Sequence, residues 1–113
     1  SLGETTRADE LFGLGMERDC EPLEKEASKA NCEAWYLALA GRDLDRALER
    51  SRQANALAPH RSDYLDTLSV VLWKRGDLDD ALASHQAALL SSDDIYLLWQ
   101  HEHLSALRAA AAR

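Results

Sequence analysis

The sequence predicts an all-α protein, a solenoid of stacked helical hairpins with one further helix at each end. Three observations carry this expectation. Five Gly and two Pro among 113 residues are about half the usual combined share of roughly 12%. A six-residue segment, Asp43-Leu44-Asp45-Arg46-Ala47-Leu48, recurs as Asp77-Leu78-Asp79-Asp80-Ala81-Leu82, 34 positions later and with one difference. Apolar residues recur at the i, i+3, i+4, i+7 spacing of a buried helical face.

Each element follows from local signals. Residues 7–18 read as a weak helix, because Gly13 and Gly15 interrupt it. A second helix is expected over 22–40, with Ala30, Ala34 and Leu37 toward the core and Gly41 just beyond its end. A third spans 43–58 and stops at Pro59, which cannot continue a helix. In a fourth, over 63–75, Ser62 precedes the first turn, Leu65, Leu68, Ser69 and Leu72 form the core stripe, and Gly76 closes it. A fifth covers 77–90 with Leu78, Ala81, Leu82, His85, Ala88 and Leu89 on one face. The last, 93–111, has two apolar faces, Ile95, Leu98, Trp99, Ala106 and Ala109 on one side and Leu97, Leu104, Leu107 and Ala111 on the other.

A period of 34 built from helix, tight turn and helix is the arrangement of tetratricopeptide repeats, and the chain resembles the bacterial members of that family. Leu65, Leu68, Ser69, Leu72, Gly76, Leu78, Ala81 and Ala88 fall at the signature spacing in the second copy, and Ala34, Leu37, Gly41, Leu44, Ala47, Ala54 and Pro59 in the first. The resemblance implies an acidic helical extension at 1–27, two repeats at 28–61 and 62–94, and a capping or assembly helix at 95–113. It departs from the family at Ser51 and His85, where the second helix of a repeat usually carries an aromatic. That departure implies looser packing against the following helix.

Composition excludes several classes of function. With 13 Lys and Arg against 20 Asp and Glu, the net charge is −7, opposite to what a phosphate-backbone binder needs, so nucleic acid is not an expected partner. No apolar run reaches the roughly 18 residues of a membrane span, and no membrane insertion is expected. Residues 1–33 carry nine acids against four bases, whereas 34–113 are nearly balanced. This is read as a solvated helical face, with an acidic docking surface as the minority reading. Ser at position 1, with no signal-peptide sequence after it, reads as a processed piece of a longer protein. The expected compartment is cytoplasmic or periplasmic, in soluble form.

Candidate chemistry is sparse. His101 and His103 flank Glu102, but residues two apart on a helix point about 200° from each other, so no metal site is expected. His85 has no GxSxG or similar nucleophile setting around it, Gly13-Leu14-Gly15 lacks the Lys and Ser or Thr of a phosphate loop, and neither catalysis nor a cofactor is expected. Arg42, Arg46 and Arg50 form an i, i+4 stripe read as a solvated face balanced by Asp45 and Glu49. Cys20 and Cys32 are a disulfide if the parent protein is exported, or two small thiols in a reducing compartment.

The functional signal is a second stripe beside the core. At 100° per residue, Asp66, Val70 and Trp73 centre roughly 130° from Leu65, Leu68 and Leu72. Asn31, Trp35 and Ala38 are displaced similarly from Ala30, Ala34 and Leu37 on the earlier helix. In stacked hairpins such stripes line a concave groove. The expected partner-binding set is therefore Asn31, Trp35, Ala38, Asp63, Asp66, Val70 and Trp73. Family members that grip a peptide's terminal carboxylate use Lys, Asn and Arg here; Asn31 fits that pattern, and Trp35, Asp66 and Val70 do not. An extended protein segment with apolar and basic residues is the expected ligand. The alternative function is structural: intramolecular packing, or a homodimer formed through Leu97, Leu104 and Leu107 on the last helix.

Overall fold

The computed structural model describes the backbone of residues 2–91 and 95–111 and the side chains of residues 7–91 and 102–111. These residues form six α-helices: α1 (Leu2–Cys20), α2 (Glu26–Ala40), α3 (Leu44–Leu57), α4 (Ser62–Arg75), α5 (Leu78–Leu90) and α6 (Ile95–Ala111). Packing is mostly sequential, each helix lying on the next, and α2 also packs on α4. Among the described residues no helix is long and apolar enough to cross a membrane.

The two tight turns share one chemistry. Gly41 and Gly76 adopt φ of 65° and 88°, a left-handed conformation that a side chain disfavours. Each donates its N–H to a carbonyl three residues back, Ala38 and Trp73, while the next N–H reaches five back, from Arg42 to Leu37 and from Asp77 to Leu72. This 6→1 and 5→2 pairing satisfies the last carbonyls of α2 and α4 and reverses the chain.

Two expectations about α1 and α2 are corrected. α1 is a 19-residue helix that runs straight through Gly13 and Gly15, longer than the weak 7–18 segment its glycines indicate. It is anchored by Phe12 and Met16, which pack on the core cluster, and by Cys20, which is bonded to Cys32 and 3% exposed. α2 starts at Glu26, not residue 22. Pro22 sits in the turn that brings the two cysteines together, with their Cα atoms 5.5 Å apart.

The core is built of small residues at the helix crossings. Ala30, Ala34, Ala38, Ala47, Ser51, Ala54, Ser69, Ala81 and Ala88 are completely buried. Leu37, Leu48, Val70, Val71 and Leu72 fill the space beside them. Buried polar groups tie neighbouring helices: Asn55 Nδ2 donates to the carbonyls of Ser51 and Tyr64, and Ser84 Oγ to that of Leu65. Ser51 and His85 are both fully buried.

The basic stripe is only partly solvated: Arg46 stays exposed, while Arg50 is mostly withdrawn from water, and all three are paired with acids of other helices. Arg50 bonds Glu33 at 2.9 Å and Glu26 at 3.1 Å, Arg46 reaches Glu33 at 3.5 Å, and Arg42 pairs with Asp9. Arg42 also lies 4.8 Å over the Phe12 ring. Partial burial of Arg50 pulls its pKa down, but the Glu26 hydrogen bond and the charge of Glu33 outweigh it and raise the pKa overall. The acidic excess of the first 33 residues thus answers the Arg stripe inside the molecule, not the Asp45 and Glu49 of the same helix.

Two measurements check this packing. Leu72→Ala, at a site 5% exposed, should lower unfolding stability by about 2 to 5 kcal/mol in urea titrations. Reducing the Cys20–Cys32 bond, which closes a 12-residue separation, should lower it by about 3 kcal/mol.

Candidate functional site

The turn at residues 21–25, the first half of α2 and the opening of α4 enclose a cleft of about 470 Å³. Four of the expected residues meet there: Asn31 and Trp35 from α2, and Asp63 and Asp66 from α4. Ser28, Cys32, Arg61, Tyr64 and Thr67 complete the wall, with Leu23 from the turn.

The entrance of α4 is held in shape by Arg61. Its guanidinium grips the Asp63 carboxylate with two hydrogen bonds, Nε to Oδ1 at 3.0 Å and Nη2 to Oδ2 at 2.7 Å. It also lies 4.2 Å over the Tyr64 ring, a cation–π geometry. The Asp63 hydrogen bonds, and then its charge, raise the pKa of Arg61 above its ordinary value. Tyr64 is 3% exposed, and its hydroxyl shares a 3.1 Å hydrogen bond with Ser28, which joins α4 to α2.

Asp66 stands at the back of the cleft. Its Oδ1 lies 3.4 Å from Nδ1 of the fully buried His85, and Ser69 Oγ lies 3.5 Å from the same nitrogen. Ser, His and Asp in contact invite comparison with a hydrolytic triad, but that relay needs nucleophile and acid on opposite ring nitrogens. Here both approach Nδ1, and Ser69 Oγ donates to the Asp66 carbonyl at 2.7 Å. The arrangement positions a carboxylate at the cleft wall.

Three expected partner-binding residues lie elsewhere. Ala38 and Val70 belong to the buried core cluster, at 0% and 5% exposure. α4 packs on α2, α3 and α5, so its apolar circumference exceeds one stripe, and the displaced stripe is core as well. Trp73 is partly buried against the same cluster and meets His103 of α6 edge-on, with ring centroids 5.9 Å apart. It does not line the cleft. Sequence reasoning missed Arg61, Tyr64 and Ser28, and the signal was there to find: Arg61 and Tyr64 flank Asp63.

Of the expected assembly residues on α6, one is corrected. Leu104 is 4% exposed, so it is buried within the chain and not offered to a second copy, while Leu107 is half-buried. The side chain of Leu97 lies outside the described residues, as does that of His101.

A second depression adjoins the cleft. Trp35 forms part of its wall too, together with Phe12, Tyr36, Leu39 and Ala40, and its volume is about 440 Å³. Phe12 and Tyr36 meet edge-on at 6.2 Å between centroids.

Comparison with known protein families, curated proteins and solved structures finds no match.

Because Trp73 packs between α4 and α6, Trp73→Ala should lower unfolding stability by about 2 kcal/mol, read from chemical denaturation. An unchanged midpoint would place this indole outside the packing.

Proposed function

We propose that this chain is a noncatalytic protein-interaction module of the tetratricopeptide type that holds an extended protein segment in the cleft between α2 and α4. The observation that carries this reading is the convergence of Asn31, Trp35, Asp63 and Asp66, from two helices separated in sequence, on one open cleft. An aromatic beside carboxylates suits a segment with apolar and basic side chains.

The repeat architecture has its own support. α2 with α3 and α4 with α5 form two hairpins of similar length, each turned at a left-handed Gly, and the second stacks on the first through α3, α4 and α2. In that arrangement α2 and α4 are the first helices of their repeats, the ones that line the inner face of a solenoid. Between a cytoplasmic and a periplasmic setting, the Cys20–Cys32 disulfide favours the oxidising one.

The structural alternative, self-association, draws support from exposed leucines away from the cleft: Leu14 is 61% and Leu90 85% exposed. Equilibrium sedimentation at tens of micromolar tests this alternative, since self-association predicts a dimer and a monomer counts against it.

Panning a random peptide display library on the protein tests the cleft directly. Selected peptides should lose about thirtyfold in affinity with Trp35→Ala, equivalent to about 2 kcal/mol, and should weaken with Asp63→Asn, a change at a surface carboxylate. Failure to enrich any peptide, or equal binding by both variants, rules the cleft out as the binding site.

A further inference from the structure

The depression between α1 and α2 has no role in the reading so far, yet it shares a wall with the cleft. We infer that it takes an apolar side chain of the same ligand segment whose Lys or Arg is drawn to the net negative charge of the cleft, centred on Asp66, so that one extended peptide is gripped at two points with Trp35 between them. This rests on the cleft reading and adds the ligand's pattern to it.

Four observations support the inference. Trp35 lines both depressions, so a chain lying across the indole borders both. The second depression is apolar, enclosed by Phe12, Tyr36, Leu39 and Ala40, and Leu39 is 55% exposed. Such a surface favours burial under an apolar side chain. The cleft carries Asp63 and Asp66 against Arg61, a net charge of −1 on its lining, in a chain whose total is −7. That sign selects a basic side chain and disfavours an acidic one. The depression is also preformed: the Cys20–Cys32 bond, the Arg42–Asp9 pair and the Phe12–Tyr36 contact each fix α1 against its neighbours. A preformed pocket lowers the ordering cost of binding.

The geometry sets the spacing of the two ligand residues. Asn31, in the cleft, and Leu39, at the apolar end, are eight residues apart on α2, about 12 Å at 1.5 Å per residue. An extended peptide advances about 3.3 Å per residue and covers that distance in about three or four residues. The ligand therefore carries a Lys or Arg and a Leu, Phe or Trp three or four positions apart.

The test uses an array of nine-residue peptides with one fixed Arg and a single Leu or Phe moved through every other position, with affinities of the best binders measured by fluorescence anisotropy. Tightest binding is expected at a separation of three or four, with at least a tenfold loss at a separation of one. Leu39→Glu, at an exposed site, should remove the preference for the apolar residue but retain that for Arg. Replacing the peptide's Arg by Gln should weaken binding to the unaltered protein tenfold or more, a readout independent of any protein variant's folding. Peptides that need Arg but are indifferent to the apolar position and to Leu39→Glu overturn the two-point inference while leaving the cleft reading in place. Binding by no peptide overturns the cleft reading itself. Concentration-dependent dimerisation abolished by Leu39→Glu, without peptide binding, assigns the apolar depression to a second copy and overturns the inference.

Discussion

Seven alanines and two serines, from Ala30 on α2 to Ala88 on α5, are completely buried where the helices pack. A fully occluded small side chain has other atoms packed directly against it, held by dispersion contacts at close-packed density. Close approach is what lets single side chains bridge helices, as when Asn55 reaches the carbonyl of Tyr64 or Ser84 that of Leu65. α2 and α4, whose residues border the cleft, are among the helices in contact. A larger side chain in this seam would push helices apart along their length, because interiors at crystal-like density do not absorb extra methylenes without strain.

Electrostatics reinforce the same arrangement from outside the seam. The Arg residues of the α2–α3 turn and α3 draw on acids supplied by α1 and α2, and Glu33, 17% exposed, serves two of them. Exposed pairs of this kind contribute little individually. The Arg50–Glu33 pair is different, since both partners are mostly removed from water and make directed hydrogen bonds. Its effect is to fix how α3 is rotated against α2, which in turn decides which faces of α2 remain for other contacts.

What the sequence made legible was local. Gly41, Gly76 and Pro59 marked the turns because their backbone chemistry acts within a few residues, and the recurring hexapeptide exposed the pairing of helices without any tertiary information. Ala38 and Val70 were misplaced for the opposite reason: helical periodicity locates the strongest apolar direction, but not how many neighbours a helix acquires. α4 packs on α2, α3 and α5 and reaches α6 through Trp73, and residues that looked surplus to one stripe became core. Trp35 was read as a surface residue in the groove, and it does line the cleft, but it also packs against the core cluster. The depression beside α1 was invisible because two glycines made that helix look weak. Its support comes from a bond to Cys32 and a ring against Tyr36, both of which lie in another element.

The position of the disulfide has one more consequence. The turn at residues 21–25 that joins α1 to α2 is bridged in parallel by the bond from Cys20 to Cys32, so the chain has two covalent routes across this corner. A protease that cuts the turn severs one route and leaves the other, and the nicked protein remains a single covalent molecule with α1 in register. If that bond is then reduced, α1 becomes a separate peptide held by noncovalent contacts, among them Phe12, Met16 and the Asp9–Arg42 pair. Cleavage and reduction are each tolerable alone, and together they release the N-terminal helix and with it one wall of the depression that Trp35 borders.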